Sequence, residues 1–150
     1  MSRRIALLVS AGVVVLGGAG AFAFAYAGEQ TPSLSDSTAR YTAPSGDGDG
    51  SLVFSTDVKA SSGVKSVKVL AWPQDSSLGK KGLTAEDLAD AESATCTPAG
   101  DDTVHCTYKA AVTRAEAKGS PQGAWHVAVL ATAKNGTTTL DTTAADFTLR

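Results

Sequence analysis

The two cysteines of the chain, Cys96 and Cys106, impose the strongest constraint on its fold, because they lie close together within a segment of alternating side chains. If they stand directly opposite on two antiparallel strands, a disulfide closes a hairpin whose loop spans residues 100–102. A disulfide suits the close spacing of a non-hydrogen-bonded cross-strand pair. The spacing therefore predicts a disulfide-closed β-hairpin over residues 94–110.

The second strand of this hairpin has one apolar and one polar face. The apolar face consists of Val104, Cys106, Tyr108 and Ala110, and the polar face consists of Thr103, His105, Thr107 and Lys109. Alternate residues of a strand point to opposite sides of a sheet. We therefore expect the first face to be buried and the second to be exposed.

Residues 1–27 have the three parts of an export signal. Arg3 and Arg4 come first, an uncharged apolar run follows, and the run ends in the small-residue step Ala25-Tyr26-Ala27. This step is typical of a signal-peptide cleavage site, which predicts that the mature chain begins at Gly28. The run is also long enough to cross a bilayer core of about 30 Å, so an uncleaved membrane anchor is the alternative.

The charge and the cysteines both bear on where the protein acts. The export segment carries two of the 13 basic residues and none of the 15 acidic residues, so its removal changes the formal net charge from −2 to −4. A mildly acidic surface disfavours nucleic acid and anionic lipid as partners. Disulfides persist in oxidising compartments. We therefore expect a secreted, extracellular protein, which touches a membrane only if the N-terminal segment stays uncleaved.

A chain of 150 residues with 19% charged side chains has room for one modest domain. Residues 28–50 contain mainly Ser, Thr, Pro, Gly and Asp, a composition that predicts a flexible linker. The domain is then expected to occupy residues 51–150.

Within residues 51–150 the chain reads as short strands separated by turns. One short crossover helix is expected between them, with Thr84 as its N-cap and its end near Glu92. About seven strands with one such helix predict an all-β, immunoglobulin-like β-sandwich, preceded by the N-terminal hydrophobic export helix. An immunoglobulin domain joins its two sheets through distant cysteines, whereas this pair closes a local hairpin.

The last two strands form the clearest hairpin signal. The segment 134–137 contains Asn-Gly, the signature of a two-residue turn, and this turn places Leu140 opposite Ala131 with both pointing inward. Phe147 is odd-numbered and Leu140 is even-numbered. Both can face the core only if a bulge or break lies within residues 141–145.

Three segments carry a resemblance to known families. They are SGVKSVKVLAWP at residues 62–73, the cysteine pair with the Thr-Tyr after Cys106, and GAWHVAVLATAKNGTT at residues 123–138. Together they resemble a family of exported actinobacterial proteins classed only as a domain of unknown function. The first and third segments are also similar to bacterial immunoglobulin-like surface modules. The first resemblance implies secretion, the second implies only a fold, and neither implies catalytic residues.

Few residues are candidates for chemistry. His105 and His126 are both expected on exposed faces, where a shared metal site would require neighbouring strands and a converging carboxylate. Surface histidines are the simpler interpretation. Both cysteines are assigned to the disulfide, and no serine lies in a nucleophile-elbow motif. The sequence thus predicts no catalytic residue, no metal and no cofactor.

Two features are candidates for binding. The hairpin tip, Gly100, Asp101 and Asp102, is a short loop held by the disulfide, and simple stabilisation of the hairpin is the alternative interpretation. Trp72 precedes Pro73 at a strand end, so it is either an exposed binding aromatic or part of the core.

These observations favour an exported, non-enzymatic module that binds a protein or a cell-wall component outside the cell. The alternative is a secreted protease inhibitor that uses the disulfide-held tip, because a preorganised loop loses little entropy on binding.

Overall fold

A computed structural model describes residues 21–24 and 31–150. Within these residues the strands are β1 (Ala21–Phe24), β2 (Ser33–Thr42), β3 (Gly50–Lys59), β4 (Val64–Pro73), β5 (Glu92–Ser93), β6 (Thr95–Gly100), β7 (Thr103–Val112), β8 (Gly123–Ala133) and β9 (Thr138–Leu149). The helices are α1 (Ser77–Lys81), α2 (Ala85–Ala89) and α3 (Arg114–Gly119). None of these helices has the length and hydropathy needed to cross a membrane.

The strands form two antiparallel sheets that pack against each other. One sheet has the order β2-β3-β7-β6 and the other β1-β9-β8-β4-β5. Their inner faces share one core, in which Phe54 and Val58 of the first sheet pack with Val67, Val127 and Phe147 of the second. The inward residues alternate with more exposed ones along each strand, as expected where one face of a sheet is buried. The predicted β-sandwich is therefore confirmed.

Strand β2 corrects the prediction of a flexible linker over residues 28–50. Its residues pair with β3 from Ser33 to Thr42, and Ala39 and Tyr41 are buried in the core between exposed or half-buried neighbours. The small polar residues of this segment resemble a linker in composition, but their alternation matches a half-buried edge strand. The folded domain therefore begins before residue 51.

A bulge in β2 brings two buried hydroxyl groups together. The register with β3 shifts between Ser35 and Thr38, and Asp36 has a positive φ of 52°. The Thr56 hydroxyl donates to the Ser35 carbonyl, 3.2 Å away, and lies 2.7 Å from the Ser37 hydroxyl. A hydroxyl has a single proton to donate. Ser37 is therefore the donor to Thr56, and this chain of hydrogen bonds ties β2 to β3.

The described residues contain three short helices rather than the single crossover helix expected. The predicted helix is α2, with Thr84 as N-cap in a capping box with Asp87, but it ends at Ala89 because Glu92 already pairs with Val69 in β5. Helix α1 precedes the predicted helix. The segment around α1 and α2 covers the outer face of the second sheet, where Leu88 is fully buried.

The β8–β9 turn is one residue longer than expected. The Ala133 N–H donates to the Thr137 carbonyl at 2.9 Å, so the loop holds three residues, 134–136, and Gly136 has a φ of 90°. Leu140 therefore pairs with Leu130 and not with Ala131. A shift of one residue moves a side chain to the other face of a sheet. Leu140 consequently packs beneath the helices instead of in the shared core.

The predicted irregularity in β9 is present. Val127 pairs with Ala145 and Val129 pairs with Asp141, so residues 142–144 stand opposite Ala128 alone. This bulge gives the Trp72 indole a backbone carbonyl to bond, that of Thr142. The prediction of a bulge is confirmed. It assumed that Leu140 and Phe147 both face the core, and this reason was wrong, because Leu140 faces outward.

The N-terminal predictions fall mainly outside the described residues. The cleavage-site residues Ala25, Ala27 and Gly28 lie outside the described residues, as does most of the predicted export helix. Residues 21–24, which were expected within that helix, form β1 and pair with β9 from Thr138 to Asp141.

The hydroxyl pair of Ser37 and Thr56 gives a test of the position of β2. We expect Thr56→Val to lower the free energy of unfolding by about 1–3 kcal/mol, because it keeps the shape but leaves the buried Ser37 hydroxyl without its acceptor. The double variant Ser37→Ala/Thr56→Val should lose less unfolding free energy than the sum of the losses in the two single variants. Urea unfolding of the wild type, both single variants and the double variant measures this. A Thr56→Val variant as stable as the wild type would contradict the docking of β2.

Candidate functional site

The cysteine hairpin forms as the spacing predicts. The sulfur atoms of Cys96 and Cys106 are 2.04 Å apart, and their Cα atoms are 4.0 Å apart at directly facing positions of β6 and β7. Thr97 pairs with His105, one step along the ladder. Cys106 is fully buried, so the disulfide joins the hairpin to the core as well as closing it.

The tip of the hairpin differs from the prediction by one residue. Gly100 pairs with Thr103, which leaves only Asp101 and Asp102 in the loop and makes Ala99 a bulge. Asp102 has a φ of 56°, a left-handed conformation that aspartate tolerates better than most residues. The predicted tip residues are all exposed, and they form a tight turn rather than an open three-residue loop.

Three turns meet at this end of the sandwich. The Ala60 N–H donates to the Asp102 carbonyl at 2.9 Å, which joins the β3–β4 turn to the hairpin tip. The Lys134 N–H donates to the Gly63 carbonyl at 2.9 Å, which joins the β8–β9 turn to the same β3–β4 turn. We call residues 60–63, 100–102 and 134–136 the three-loop end. The three turns are therefore held in one arrangement by the backbone.

The exposed side chains of the three-loop end are polar and carry both charges. They belong to Ser61, Ser62, Asp101, Asp102, Lys134 and Asn135. Gly63 has a φ of 91°, and a Cβ atom there would lie 3.1 Å from the Lys134 side chain, so the chain of Lys134 passes closely over the turn. Such a surface suits recognition of another polar surface through hydrogen bonds and single ion pairs.

Trp72 is not the exposed binding aromatic that the sequence left open. Only 7% of its surface is exposed, and its indole N–H donates to the Thr142 carbonyl at 2.9 Å. The ring lies under the helices, 4.8 Å from the ring of His126. Trp72 therefore belongs to the packing of the second sheet.

Each histidine has an aspartate partner that sequence reasoning missed. His105 Nδ1 lies 2.7 Å from Asp57 Oδ1, and His126 Nδ1 lies 2.5 Å from Asp146 Oδ1. Both pairs are directly facing residues on adjacent strands, a relation that only the strand pairing reveals. The two histidines lie in different sheets and do not share a site. Across residues 31–150 no three potential ligand side chains come together as a metal site would require.

Asp141 is a buried carboxyl group on β9. Only 3% of its surface is exposed, and its Oδ1 accepts a hydrogen bond from the Thr143 N–H at 3.0 Å. Burial raises the pKa of Asp141, and the negative charge of Asp146 adds to this effect, although the Thr143 hydrogen bond opposes it.

A cavity of about 470 Å³ lies beside the cysteine hairpin, where the chain crosses between the sheets. It is lined by Glu92, Ser93, Thr95, Thr107, Tyr108 and Lys109. The Tyr108 hydroxyl donates to Glu92 Oε2 at 2.7 Å, so these two groups are engaged with each other. Small-molecule pockets are lined mainly by apolar side chains. This groove is polar, and the three-loop end remains the stronger candidate site.

Comparison with protein families gives a match that covers most of this fold. Residues 34–131 match the model of a family of unknown function, DUF5707. The chain belongs to the DUF5707 family. The match begins in β2 and ends in β8, so the DUF5707 domain includes the strand that composition had assigned to a linker. It also includes the whole cysteine hairpin. Searches of the curated proteins and of the solved structures find no match.

The resemblance seen in the sequence is thereby confirmed for a domain family of unknown function. Its actinobacterial origin and its export remain predictions. The family description names no activity. The surfaces of this DUF5707 protein are therefore the basis for inferring its role.

The disulfide is expected to stabilise the DUF5707 domain. Reduction should lower the free energy of unfolding by about 2.5–3 kcal/mol, the value that the loop-entropy relation gives for a loop of this length. Guanidinium unfolding with and without reductant measures it. A Cys96→Ala/Cys106→Ala variant is the control and should not respond to reductant. Equal stability of the oxidised and reduced wild-type protein would contradict the expectation.

Asp141 is expected to make the stability of this DUF5707 protein depend on pH. A raised native pKa means that the folded state binds the proton more tightly, so ionised Asp141 destabilises the fold as pH rises above the usual value of 3.8 and through the raised pKa. Asp141→Asn should be more stable than the wild type at pH 7. The difference should disappear below pH 3.8. Unfolding of the full chain between pH 3 and 7 tests this, and a pH-independent difference would contradict it.

Proposed function

We propose that this protein is an exported, non-enzymatic module that binds a protein or a cell-wall component outside the cell through its three-loop end. The observation that carries the proposal is the joining of three exposed turns by backbone hydrogen bonds from Ala60 and Lys134. An exposed surface that is already held in one conformation loses little entropy when it binds a partner. The disulfide restrains the same end further.

The order of the strands supports an immunoglobulin-like version of the sandwich. With β2, β3, β4, β6, β7, β8 and β9 taken as strands A to G, the sheets have the orders A-B-E-D and G-F-C of an immunoglobulin constant domain. The β3–β4 and β8–β9 turns then correspond to the B–C and F–G loops. In immunoglobulin variable domains these two loops contact antigen. The analogy therefore favours the three-loop end as the binding surface.

The disulfide departs from the immunoglobulin pattern in a way that suits this proposal. Immunoglobulin cysteines join strands B and F across the two sheets, whereas Cys96 and Cys106 join neighbours D and E within one sheet. Their bond lies on the strands that lead to the tip at Asp101 and Asp102. It therefore limits the movement of that turn in addition to stabilising the domain.

Export is proposed on two grounds. A disulfide persists where the surroundings are oxidising, and the N-terminal segment of the chain has the pattern of an export signal. A binding role outside the cell accounts for both features without an active site.

Protease inhibition is less well supported than binding. An inhibitor that occupies a protease cleft needs an extended, exposed segment to present to the enzyme. Pro98 and Gly100 are instead paired with β7, Ala99 forms the bulge between them, and Asp101 and Asp102 form the tight turn. If the mature protein nevertheless inhibited a member of a protease panel at stoichiometric concentration, inhibition would replace the binding proposal.

A charge-reversal pair tests the three-loop end. Asp101→Arg together with Lys134→Glu reverses two of its three charges without changing the net charge, and both side chains are exposed. We expect the immobilised wild-type protein to capture a partner from culture medium or cell-wall extract of its source, and the double variant to lose at least tenfold in capture.

The matched control is Asp75→Arg with Lys80→Glu, which makes the same charge exchange beyond the far end of β4. It should capture as well as the wild type. Thermal unfolding shows whether both double variants keep the fold. Undiminished capture by the Asp101/Lys134 variant would mean that the partner contacts another surface.

A further inference from the structure

A basic cavity lies at the end of the sandwich opposite the three-loop end. Its volume is about 200 Å³, and it opens between the end of β2, helix α3 and the residue after β9. Tyr41, Arg114, Lys118 and Arg150 line it. No acidic residue is among the described residues that line it. The cavity is therefore surrounded by positive charge in a chain whose formal net charge is −2.

Arg114 and Lys118, two cations of the basic cavity, form no ion pair in the part of the chain that the structure describes. The ion pairs there join Lys81 to Asp87, His105 to Asp57 and His126 to Asp146. Glu116, the acidic residue of α3, instead accepts a hydrogen bond from the Thr113 N–H at 2.8 Å. Arg114 and Lys118 therefore act together on whatever occupies the cavity.

Two side chains of the cavity are already positioned. Arg114 Nη2 donates to the Gly46 carbonyl, which restrains a guanidinium group that has further donors to offer. Tyr41 is only 6% exposed, and it lines the cavity. Burial also raises the pKa of Tyr41, so its hydroxyl stays a protonated donor at neutral pH.

We propose that the basic cavity binds a phosphate group, with Arg114 and Lys118 supplying the positive charge and Tyr41 a hydrogen bond. A phosphate monoester carries a charge of about −1.5 to −2 and three acceptor oxygens. Arginine and lysine are both common phosphate ligands in proteins. A single carboxylate would leave one of these two positive charges unbalanced. This site does not depend on the three-loop end, so either proposal can fail without the other.

Titration of the purified protein with inorganic phosphate, followed by two-dimensional NMR, tests the site. We expect saturable shifts at residues around the cavity, with an affinity that falls as sodium chloride is added. Arg114→Gln with Lys118→Gln should weaken binding at least tenfold. Tyr41→Phe, which removes only the hydroxyl, should weaken it several-fold.

Arg40→Gln is the matched control, because Arg40 is the exposed neighbour of Tyr41 on the opposite face of β2. It should bind phosphate as the wild type does. Unchanged binding by the Arg114/Lys118 variant, or the absence of saturation in the wild type, would overturn the site. Acetate bound as tightly as phosphate would overturn the choice of ligand. The thermal unfolding midpoint of each variant verifies that it is folded.

Discussion

The pairing of β3 with β7 determines the position of every other feature of this domain. It runs unbroken for ten residues on each strand, from Gly50 opposite Val112 to Lys59 opposite Thr103. At one end of this ladder the hairpin tip meets the β3–β4 turn, and at the other end the β2–β3 loop meets α3. The three-loop end and the basic cavity are thus the two ends of a single ladder. A slip of one residue would disrupt both and would turn the core side chains outward.

The sequence predicted best those parts of the fold where alternation is strong and local. The strands β4 and β8 repeat apolar residues at every second position, and the cysteine spacing fixed the hairpin register up to the tip. Strand β2 was missed because its inward side chains are few and small apart from Tyr41. Composition alone cannot distinguish such an edge strand from a linker.

The lengths of two turns were also predicted wrongly from the sequence. The tip at Asp101 and the loop at Asn135 each differ by one residue from the expected turn, since a left-handed residue or a bulge changes the count without changing the composition. The aspartate partners of the histidines, and the cations around Tyr41, come from segments distant in sequence. Only the tertiary arrangement brings such groups together, so the basic cavity had no signal in the sequence.

The two sheets differ in what lies outside them. Helices α1 and α2 cover Leu130 and Leu140, so that part of the second sheet is apolar on both faces, whereas the outer face of the first sheet carries His105 with Asp57 and meets solvent. Strands that are buried on both faces lose the alternation of apolar and polar residues. Because the helices cover its outer face, β8 is an almost continuous apolar run.

Strand β1 has a consequence for the prediction that residues 1–27 are an export segment. Its residues, Ala21–Phe24, form backbone pairs with Thr138–Asp141 of β9. A peptide group makes only one set of backbone hydrogen bonds at a time. The segment can therefore complete the sheet or lie in a membrane helix, but it cannot do both. A chain cut before Gly28 would leave this stretch of β9 as an open edge.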